Sequence, residues 1–521
     1  MVLEYLASLT YYLLKYTLII AILYVVYLVY WLIIEPYRKR EYFKKYTNVR
    51  MTDKFYPMIG DVALWIENAK NGFGNFHHYI KEAAEHPDID FRFMQTGERS
   101  ILDWVSTKAM DEVQKVVPNI IDRGEPLDTP AGRILPTGFA MQRSTDYIIK
   151  RKKLAIECLG INRVSKYIPE IIDLIGSYLK SLKSGQEINF TKISKTITFE
   201  IVSKQILDKD YKDLNMDFEY LCPETKERSK MPFAEFFTKL LDSEIKAYTN
   251  PKSKFLKFLT DLHLIEPFKT NYINNLHMRK RMLELVEAST DMGSMYNELK
   301  RSGEVSKEDW IMDLNLFIFA GFDTTSRTIN VTLYHLKKNP KVLEKLMNEI
   351  RKHKLDRTGE MSDLELRDAL QNCDYLNYVV KESLRIDTPG PITLGYVAYE
   401  EVTICDVVIP KGQNILMGTV YSHFNPKHWH RPTEYLPERF DPESELFYKP
   451  GTKEMRHPKS FNSFSCGKRK CIGQVLGLLS AKVILVEILT KLNFDISQEL
   501  MDREMPSFNL YSETELFIKI K

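Results

Sequence analysis

The hydrophobic pattern begins with a long apolar segment near the amino terminus. Residues 16–34 carry no charged side chain. A helix over this segment, rising ~1.5 Å per residue, is long enough to cross a hydrocarbon core about 30 Å thick. The alternatives are a buried core helix and a cleaved signal peptide, but a signal peptide has a shorter apolar region of about 7–15 residues and a small-residue cleavage site. The pattern therefore favours a membrane anchor.

The charges around this segment predict its orientation. Basic residues follow it directly, namely Arg38, Lys39, Arg40, Lys44 and Lys45. The positive-inside rule then places the rest of the chain on the cytoplasmic side of the membrane. We divide the chain into an anchor over 1–34, a basic linker over 35–56 and a folded body over 57–521, which begins at a turn set by Pro57.

The periodicity of the folded body predicts its fold class. Apolar residues recur at helical spacing from about residue 140 to 385, whereas short apolar runs alternate with turn residues between Val402 and Val420. Between 385 and 460 the chain is rich in Pro, Asn and His and has little periodicity, which is typical of irregular segments kept for function. We find no tandem repeat and expect one large, mainly α domain with a small β region.

Composition and charge exclude two classes of protein. Of the 521 residues, 44% are hydrophobic and 27% are charged, and 73 Lys+Arg nearly balance 70 Asp+Glu. This composition argues against intrinsic disorder and against a basic nucleic-acid-binding protein. The 6 cysteines are sparse, which fits a reducing compartment. Cys466 and Cys471 are the one close pair, and their surroundings lack the further ligands that a structural zinc site needs.

The most informative chemistry lies in the segment Phe464-Ser-Cys-Gly-Lys-Arg-Lys-Cys-Ile-Gly473. Cys471 comes just before an apolar, helix-like stretch, and three basic residues precede it. A helix amino terminus and neighbouring positive charge both favour the thiolate form that ligates metals. Gly467 can adopt a positive φ, and Gly473 lets a flat cofactor approach the backbone. Taken alone, Cys471 has the alternative of a buried structural role.

Two polar residues fall in the middle of an apolar helix. Ser306 and Asp309 form a capping-box-like start, and the helix is predicted to stop at Asn339. Asp323 and Thr324 lie where apolar side chains cover most of the helix circumference, and a buried polar group costs free energy unless it is paired or used. The structural alternative is a threonine bonded to the carbonyl group one turn earlier.

Together these motifs resemble the cytochrome P450 family, whose haem-ligand loop has the pattern F-x-x-G-x-R-x-C-x-G. The resemblance implies that Cys471 is the axial thiolate ligand of the iron in haem b and that Arg469 contacts a haem propionate. Tyr147-x-x-x-Arg151 stands where the family commonly has W-x-x-x-R, which also contacts propionate. The other cofactor-binding residues implied by the resemblance are Phe464, Gly467, Gly473 and Ala320.

The resemblance also assigns catalytic and structural residues. Ala320-Gly-Phe-Asp-Thr-Thr325 matches the oxygen-activation motif of the family, in which Thr324 would hydrogen-bond the reacting oxygen and Asp323 would relay protons. Glu382, Arg385 and Arg439 match a buried charge network behind the haem and are structural by this assignment.

The function implied by the resemblance is that of a monooxygenase that inserts one oxygen atom of O2 into a hydrophobic, lipid-like substrate. The implied fold is the cytochrome P450 fold preceded by one transmembrane helix. Anchored members are similar to enzymes of the endoplasmic reticulum membrane that take electrons from NADPH through a flavoprotein reductase. A haem-thiolate isomerase or dehydratase and a non-enzymatic haem sensor are alternatives, and retention of Asp323 and Thr324 argues against both.

Two further sets of residues are candidates for contacts with partners. A basic patch steering the reductase would draw on Lys152, Lys153, Lys468, Lys470 and Lys482. The substrate pocket would draw on a largely apolar set, namely residues 134–141, Phe317, Ala320, Gly321 and residues 392–394.

Overall fold

Helices form most of the fold. The computed structural model describes residues 2–70, 74, 76–97, 99–207, 218–250, 257–287, 303–512 and 514–521. The α-helices in these ranges are Val2–Val29, Glu35–Lys44, Val62–Lys70, His77–Glu85, Thr107–Val116, Pro130–Ile134, Asp146–Cys158, Ile161–Val164, Ile168–Ser181, Phe190–Leu207, Phe233–Thr249, Lys257–Asp261, Phe268–Glu287, Lys307–Lys338, Pro340–Lys352, Asp363–Asn372, Asp374–Ile386, Thr419–Phe424, Gln474–Lys491 and Gln498–Asp502.

The strands are short and form four small sheets. They are β1 (Val49–Met51), β2 (Phe91–Thr96), β3 (Arg99–Trp104), β4 (Ile121–Arg123), β5 (Glu187–Asn189), β6 (Phe218–Leu221), β7 (Arg228–Met231), β8 (Tyr396–Ala398), β9 (Val402–Ile404), β10 (Val407–Ile409), β11 (Asn414–Met417), β12 (Phe494–Ile496) and β13 (Phe517–Ile520). The largest sheet has the order β1-β2-β3-β11-β8-β4, and β12-β13-β5 form a second. The hairpins β9-β10 and β6-β7 complete the set.

The predicted fold class is confirmed, since a mainly α fold carries a small β region. The strands expected between Val402 and Val420 are present, because β9 and β10 pair antiparallel with Val407 opposite Ile404 and β11 follows. Cys405 and Asp406 connect this hairpin with φ of 48° and 63°. Such positive φ values at both central positions suit the right-handed twist of a two-residue hairpin.

A central helix, Lys307–Lys338, lies in the core and has its predicted ends. The Ser306 side chain accepts a hydrogen bond from the Asp309 backbone N–H at 3.2 Å, and Asn339 ends the helix before Pro340. Most of its side chains are buried. It packs against the helices Phe190–Leu207, Gln474–Lys491 and Asp374–Ile386, which explains why apolar residues surround it.

The amino-terminal segment is one long helical rod. The helix Val2–Val29 passes through a π-helical turn, Tyr30–Ile34, into Glu35–Lys44. Its part from Ser8 to Lys44 has a mean hydropathy of 2.6 in its most apolar window and is long and apolar enough to cross a membrane. The side chains of the predicted span are almost all exposed, which suits contact with lipid.

The basic segment predicted as a linker over 35–56 belongs instead to the folded body. Phe43 is fully buried, and β1 pairs in parallel with β2, with Val49 opposite Phe91. The sequence did not reveal this packing, because the segment is mainly basic and only a few apolar residues attach it to the folded body. The folded body therefore begins before Pro57.

Candidate functional site

The loop that carries Cys471 is shaped by local backbone geometry. Ser465 and Gly467 both have positive φ, at 60° and 63°, and the Cys471 N–H donates to the Phe464 carbonyl oxygen at 2.9 Å. A Cβ atom at Gly467 would lie 2.8 Å from the side chain of Gln114, so a larger residue at this position would require Gln114 to move. Gly473 then precedes the helix Gln474–Lys491.

Burial and nearby positive charge act in opposite directions on the Cys471 thiol. Basic neighbours and the helix start predicted a thiolate, but burial is the largest influence and raises the pKa of the Cys471 thiol. The Gly473 backbone N–H, Lys152 and Lys470 oppose this shift without overcoming it. Arg469 does not contribute as expected, because its guanidinium is paired elsewhere.

Cys471 and Ala320, on the central helix, both have exposed surface. Cys471 is exposed although burial dominates its pKa, so its free surface faces an internal space. Ala320 is likewise exposed in the middle of an otherwise buried helix. The two helices pack closely next to these residues, because a Cβ atom at Gly477 would lie 3.6 Å from Thr325 Oγ1.

Thr324 makes the hydrogen bond expected from the structural alternative. Its hydroxyl donates to the Ala320 carbonyl oxygen at 2.7 Å, one turn earlier. The two residues thus share one helix face, on which Ala320 is exposed. Gly321 lies on another face, since a Cβ atom there would come within 2.9 Å of Val202. Gly321 therefore serves close helix packing, and its predicted place in the pocket is not supported.

Asp323 is buried and paired with two cations. Lys195 Nζ lies 2.9 Å from Oδ1, and Arg327 Nε donates to Oδ2 at 3.0 Å. Burial alone would raise the pKa of Asp323, but Arg327 and Lys195 together lower it below its usual value. The carboxylate is therefore ionised at neutral pH. Neither cation was identified from the sequence, although Arg327 stands four residues after Asp323 on the same helix.

Glu382, Arg385 and Arg439 come together in a fully buried network. Arg385 donates to both Glu382 oxygens at 2.8 Å, and Arg439 Nε donates to Oε1 at 3.0 Å. All three side chains have no solvent exposure. Backbone carbonyl groups of His423 and Pro432 accept the remaining Arg385 donors, so the positive charge is distributed over several acceptors.

Arg469 reaches a carboxylate that the sequence did not indicate. Its Nη2 donates to Asp122 Oδ1 at 2.6 Å and to the Gln142 carbonyl oxygen at 2.9 Å. Asp122 lies on β4 and is fully buried. The next residue, Arg123, is also buried, and its charge acts on both Arg469 and Lys152. Arg123 and Lys152 thus add positive charge beside Arg469.

Arg151 is buried against the central helix. Its Nε and Nη2 donate to the two Asp313 oxygens at 2.9 and 2.7 Å, and Nη2 also donates to the Asp309 carbonyl oxygen at 3.0 Å. Tyr147 lies beside it, donates to the Asp309 carboxylate at 2.8 Å and accepts the Ser306 N–H at 3.1 Å. Both residues of the predicted propionate motif therefore hold the start of the central helix, and a propionate contact of Arg151 stays a prediction.

The predicted pocket residues divide between two clusters. Ile134, Phe139 and Phe317 belong to one apolar cluster, in which the rings of Phe139 and Phe317 lie 5.6 Å apart. Leu394 packs against this cluster, whereas Ile392 packs against another cluster around β2 and β3. An apolar region therefore lies beside Ala320, with Phe317 less than one helical turn away.

The chemistry of the site fits a haem group and does not fit a bare metal ion. Within the described ranges, no three His, Cys, Asp or Glu side chains are grouped to hold a metal. Cys471 offers a single sulfur atom, which suits an iron whose other ligands come from a porphyrin. Exposed surface at Ala320 and Cys471, together with the arginines near Asp122, matches a flat group that carries carboxylates.

Comparison with known proteins agrees with this chemistry. The family model described as cytochrome P450 matches residues 68–517. Human cytochrome P450 4F2 is 35% identical over 219 residues, which are 42% of this chain and 40% of that protein. Human cytochrome P450 3A5 is 30% identical over 238 residues, 44% of each chain. The chain thus spans less than half the length of these two relatives.

A relative from the dog, Canis lupus familiaris, is aligned over a longer region. Cytochrome P450 3A12 is 26% identical over 382 residues, which are 70% of this chain and 72% of that protein. The family model covers far more than half of the chain. The resemblance predicted from the Cys471 loop is confirmed, and the chain belongs to the cytochrome P450 family.

Proposed function

We propose that this protein is a haem-thiolate monooxygenase that inserts one oxygen atom of O2 into a hydrophobic substrate. The observation that carries the proposal is the exposed Cys471 on a loop whose turn places Gly467 at a positive φ, close to the side chain of Gln114. Membership of the family supports haem as the cofactor. When bound, haem b supplies the redox chemistry that activates O2, and a thiolate ligand favours cleavage of the O–O bond.

Residues on both sides of the internal space would hold the cofactor. Cys471 would ligate the iron after losing its proton, since a metal favours the thiolate. Arg469 would contact a propionate by sharing or exchanging its Asp122 partner, and Arg151 is the second candidate. The remaining contacts are assigned to Phe464, Gly467, Gly473 and Ala320.

Asp323 and Thr324 would control the protons. The Thr324 hydroxyl donates to the Ala320 carbonyl oxygen, and rotation about χ1 can aim the same hydrogen at a group beside Ala320. Asp323 is ionised, because its carboxylate is ion-paired with Lys195 and accepts a hydrogen bond from Arg327. A carboxylate with a lowered pKa releases a proton quickly to water, which suits transient relay and not storage.

The chain has a surface suited to an acidic electron donor. Lys468 and Lys470 are exposed next to Cys471, and Lys152 donates to the Lys468 carbonyl oxygen. Such positive charge would steer an NADPH-dependent flavoprotein reductase. Lys482 lies apart from these residues, beside Lys381. We therefore restrict the proposed patch to the lysines around the Cys471 loop, with Lys153 adjacent.

Membrane anchoring supports the remaining parts of the proposal. The helix from Ser8 to Lys44 can span a bilayer once, and the basic residues after residue 34 favour a cytoplasmic catalytic body. We assign the protein to the endoplasmic reticulum membrane. The apolar cluster that contains Phe139 and Phe317 favours a lipid-like substrate.

The decisive experiment is the carbon monoxide difference spectrum of the reduced full-length protein. We expect a strongly red-shifted Soret band that Cys471→Ser abolishes. Cys466→Ser, five residues earlier in the same loop, is the matched control and should keep the band. If Cys471→Ser also keeps it, another residue is the ligand. Turnover that requires NADPH and a reductase would then separate a monooxygenase from an isomerase or a haem sensor.

A further inference from the structure

A cavity of about 290 Å³ lies away from the Cys471 loop. Its walls come from the start of the helix His77–Glu85, the end of the central helix, the end of the helix Asp374–Ile386 and the segment 504–509. It is lined by neither Cys471 nor Ala320, so it is separate from the candidate haem site. Its volume is close to the lower limit of about 300 Å³ for small-molecule sites.

One wall of the cavity is apolar and another is a flat aromatic pair. Phe76, Ile80 and Phe424 provide apolar surface. The rings of His335 and Tyr435 are nearly parallel, with centroids 4.7 Å apart and planes at 4°. A flat aromatic guest can stack or pack edge-on against such walls, with its ring excluded from water.

The polar groups that lack partners in the cavity are uncharged. Thr388 is only 2% exposed, and its hydroxyl oxygen has no hydrogen-bond partner among the residues that the structure describes. The His335 imidazole makes ring contacts but no hydrogen bond to any residue in the described ranges. Burial, with Lys338 and Arg385 nearby, lowers the pKa of His335 to about 3, so the ring is neutral. It offers one donor and one acceptor.

The charged groups in the interior of the cavity, Arg385 and Asp387, are already satisfied, whereas Lys338, Glu434 and Glu504 lie at its exposed rim. Arg385 is bonded to Glu382 and to backbone carbonyl groups. Asp387 accepts the Ser507 hydroxyl at 2.7 Å and the Phe508 N–H at 2.5 Å. A charged guest would therefore find no free counter-charge in the interior, and desolvating it would cost free energy.

We propose that this cavity is a second binding site for a small uncharged aromatic molecule that bears one hydroxyl or ring N–H, in the class of phenols and indoles. The aromatic ring lies against the His335–Tyr435 pair and the apolar wall, and the polar group bonds Thr388 and His335. A buried hydroxyl without a partner costs free energy, so a guest whose polar group bonds Thr388 is favoured.

The test titrates the haem-loaded full-length protein with 4-fluorophenol, in lipid nanodiscs, and follows binding by fluorine NMR with empty nanodiscs subtracted. The Soret band in the same samples reports any binding at the haem. We expect saturable binding without a Soret shift. His335→Phe, which keeps the ring stack, and Thr388→Val should each weaken the affinity at least fivefold. Thr332→Val, a buried threonine elsewhere on the central helix, should leave it unchanged.

Thermal stability separates a ligand site from a structural defect. Because the Thr388 hydroxyl has no partner, Thr388→Val should keep or raise the melting temperature while binding weakens. If His335→Phe fails to fold, Ile80→Trp, which fills the cavity from its wall, replaces it and should abolish binding. Equal affinity in all variants, or binding wholly explained by a Soret shift, overturns the proposal. A failed carbon monoxide test would leave these measurements unaffected.

Discussion

Asp122 and Arg469 form a buried ion pair, with 2.6 Å between the carboxylate Oδ1 and Nη2. The Ser144 backbone N–H also donates to Asp122, at 2.5 Å, which holds the carboxylate in place. Arg469 is the residue that the family pattern assigns to a haem propionate. An internal carboxylate would therefore compete with the proposed cofactor for the same guanidinium group.

Removal of this competitor should tighten haem binding. In Asp122→Asn the side chain keeps its size and an acceptor oxygen but loses its charge, so Arg469 can turn fully to a propionate. We expect haem transfer to an excess of an apo-haem acceptor to slow about tenfold, which corresponds to ~1.4 kcal/mol. Asp111→Asn, at a more exposed ion pair with Lys459, is the control. Faster haem loss from Asp122→Asn would show that the carboxylate supports the site.

Glu382 should be indispensable for folded protein. It balances two buried arginines, Arg385 and Arg439. Glu382→Ala leaves both without their carboxylate, at a cost of about 3–5 kcal/mol. We expect loss of soluble, haem-loaded protein on expression. Glu434→Ala, at a solvent-exposed ion pair with Arg431, should cost less than about 1 kcal/mol and keep normal haem content.

Tyr147→Phe distinguishes a helix cap from a haem contact. The hydroxyl group makes two hydrogen bonds at the start of the central helix, to Asp309 and from Ser306. Its loss should lower stability by roughly 1 kcal/mol, because both bonds are partly exposed to solvent. The melting temperature should fall by a few degrees with an unchanged haem spectrum. A changed spectrum or faster haem release would place Tyr147 at a propionate instead.

Thr324→Val tests the proton function of the hydroxyl group. The valine has nearly the same shape but cannot donate, so we expect normal haem content and a several-fold rise in hydrogen peroxide released per NADPH consumed. Thr332→Val on the same helix is matched, because Thr332 also donates to the carbonyl group four residues earlier, at 2.7 Å. Thr324→Ser should restore normal coupling. Unchanged peroxide release in Thr324→Val would remove the hydroxyl from the mechanism.

Glu244 should make stability depend on pH. It is 3% exposed, one of its oxygens has no hydrogen-bond partner in the described part of the chain, and burial raises its pKa to about 7. Between the unfolded value of 4.5 and about 7 the folded state binds more protons, so stability falls as pH rises through this window. At pH 8, Glu244→Gln should be more stable than the wild type by up to about 3 kcal/mol.

The difference should disappear towards pH 4, where the glutamic acid is protonated in both states. Melting temperatures of both proteins between pH 4 and 8 measure it. The exposed Glu344→Gln is the control and should show no pH-dependent difference. A constant difference across the range would mean that packing, and not charge, separates Glu244 from glutamine.

Local patterns in the sequence were enough to predict several features of the structure. The apolar run over 16–34, the cap at Ser306 and the stop at Asn339 were all predicted, because helix length and ends depend on neighbouring residues. The strands after Val402 were predicted for the same reason. The spacing around Cys471 was enough to identify the family, since the loop needs glycine and cysteine at fixed positions.

Partners distant in the sequence were decided by the tertiary structure alone. Arg469 pairs with Asp122 and Arg151 with Asp313, and neither acid has a local signal, because such pairs form only when the chain brings remote segments together. The pairing of β1 with β2 involves only three residues of β1, which is too short a sequence pattern to predict a strand. Burial likewise raises the pKa of the Cys471 thiol against the effect of its basic neighbours, because desolvation depends on everything packed around a group and not on its sequence neighbours.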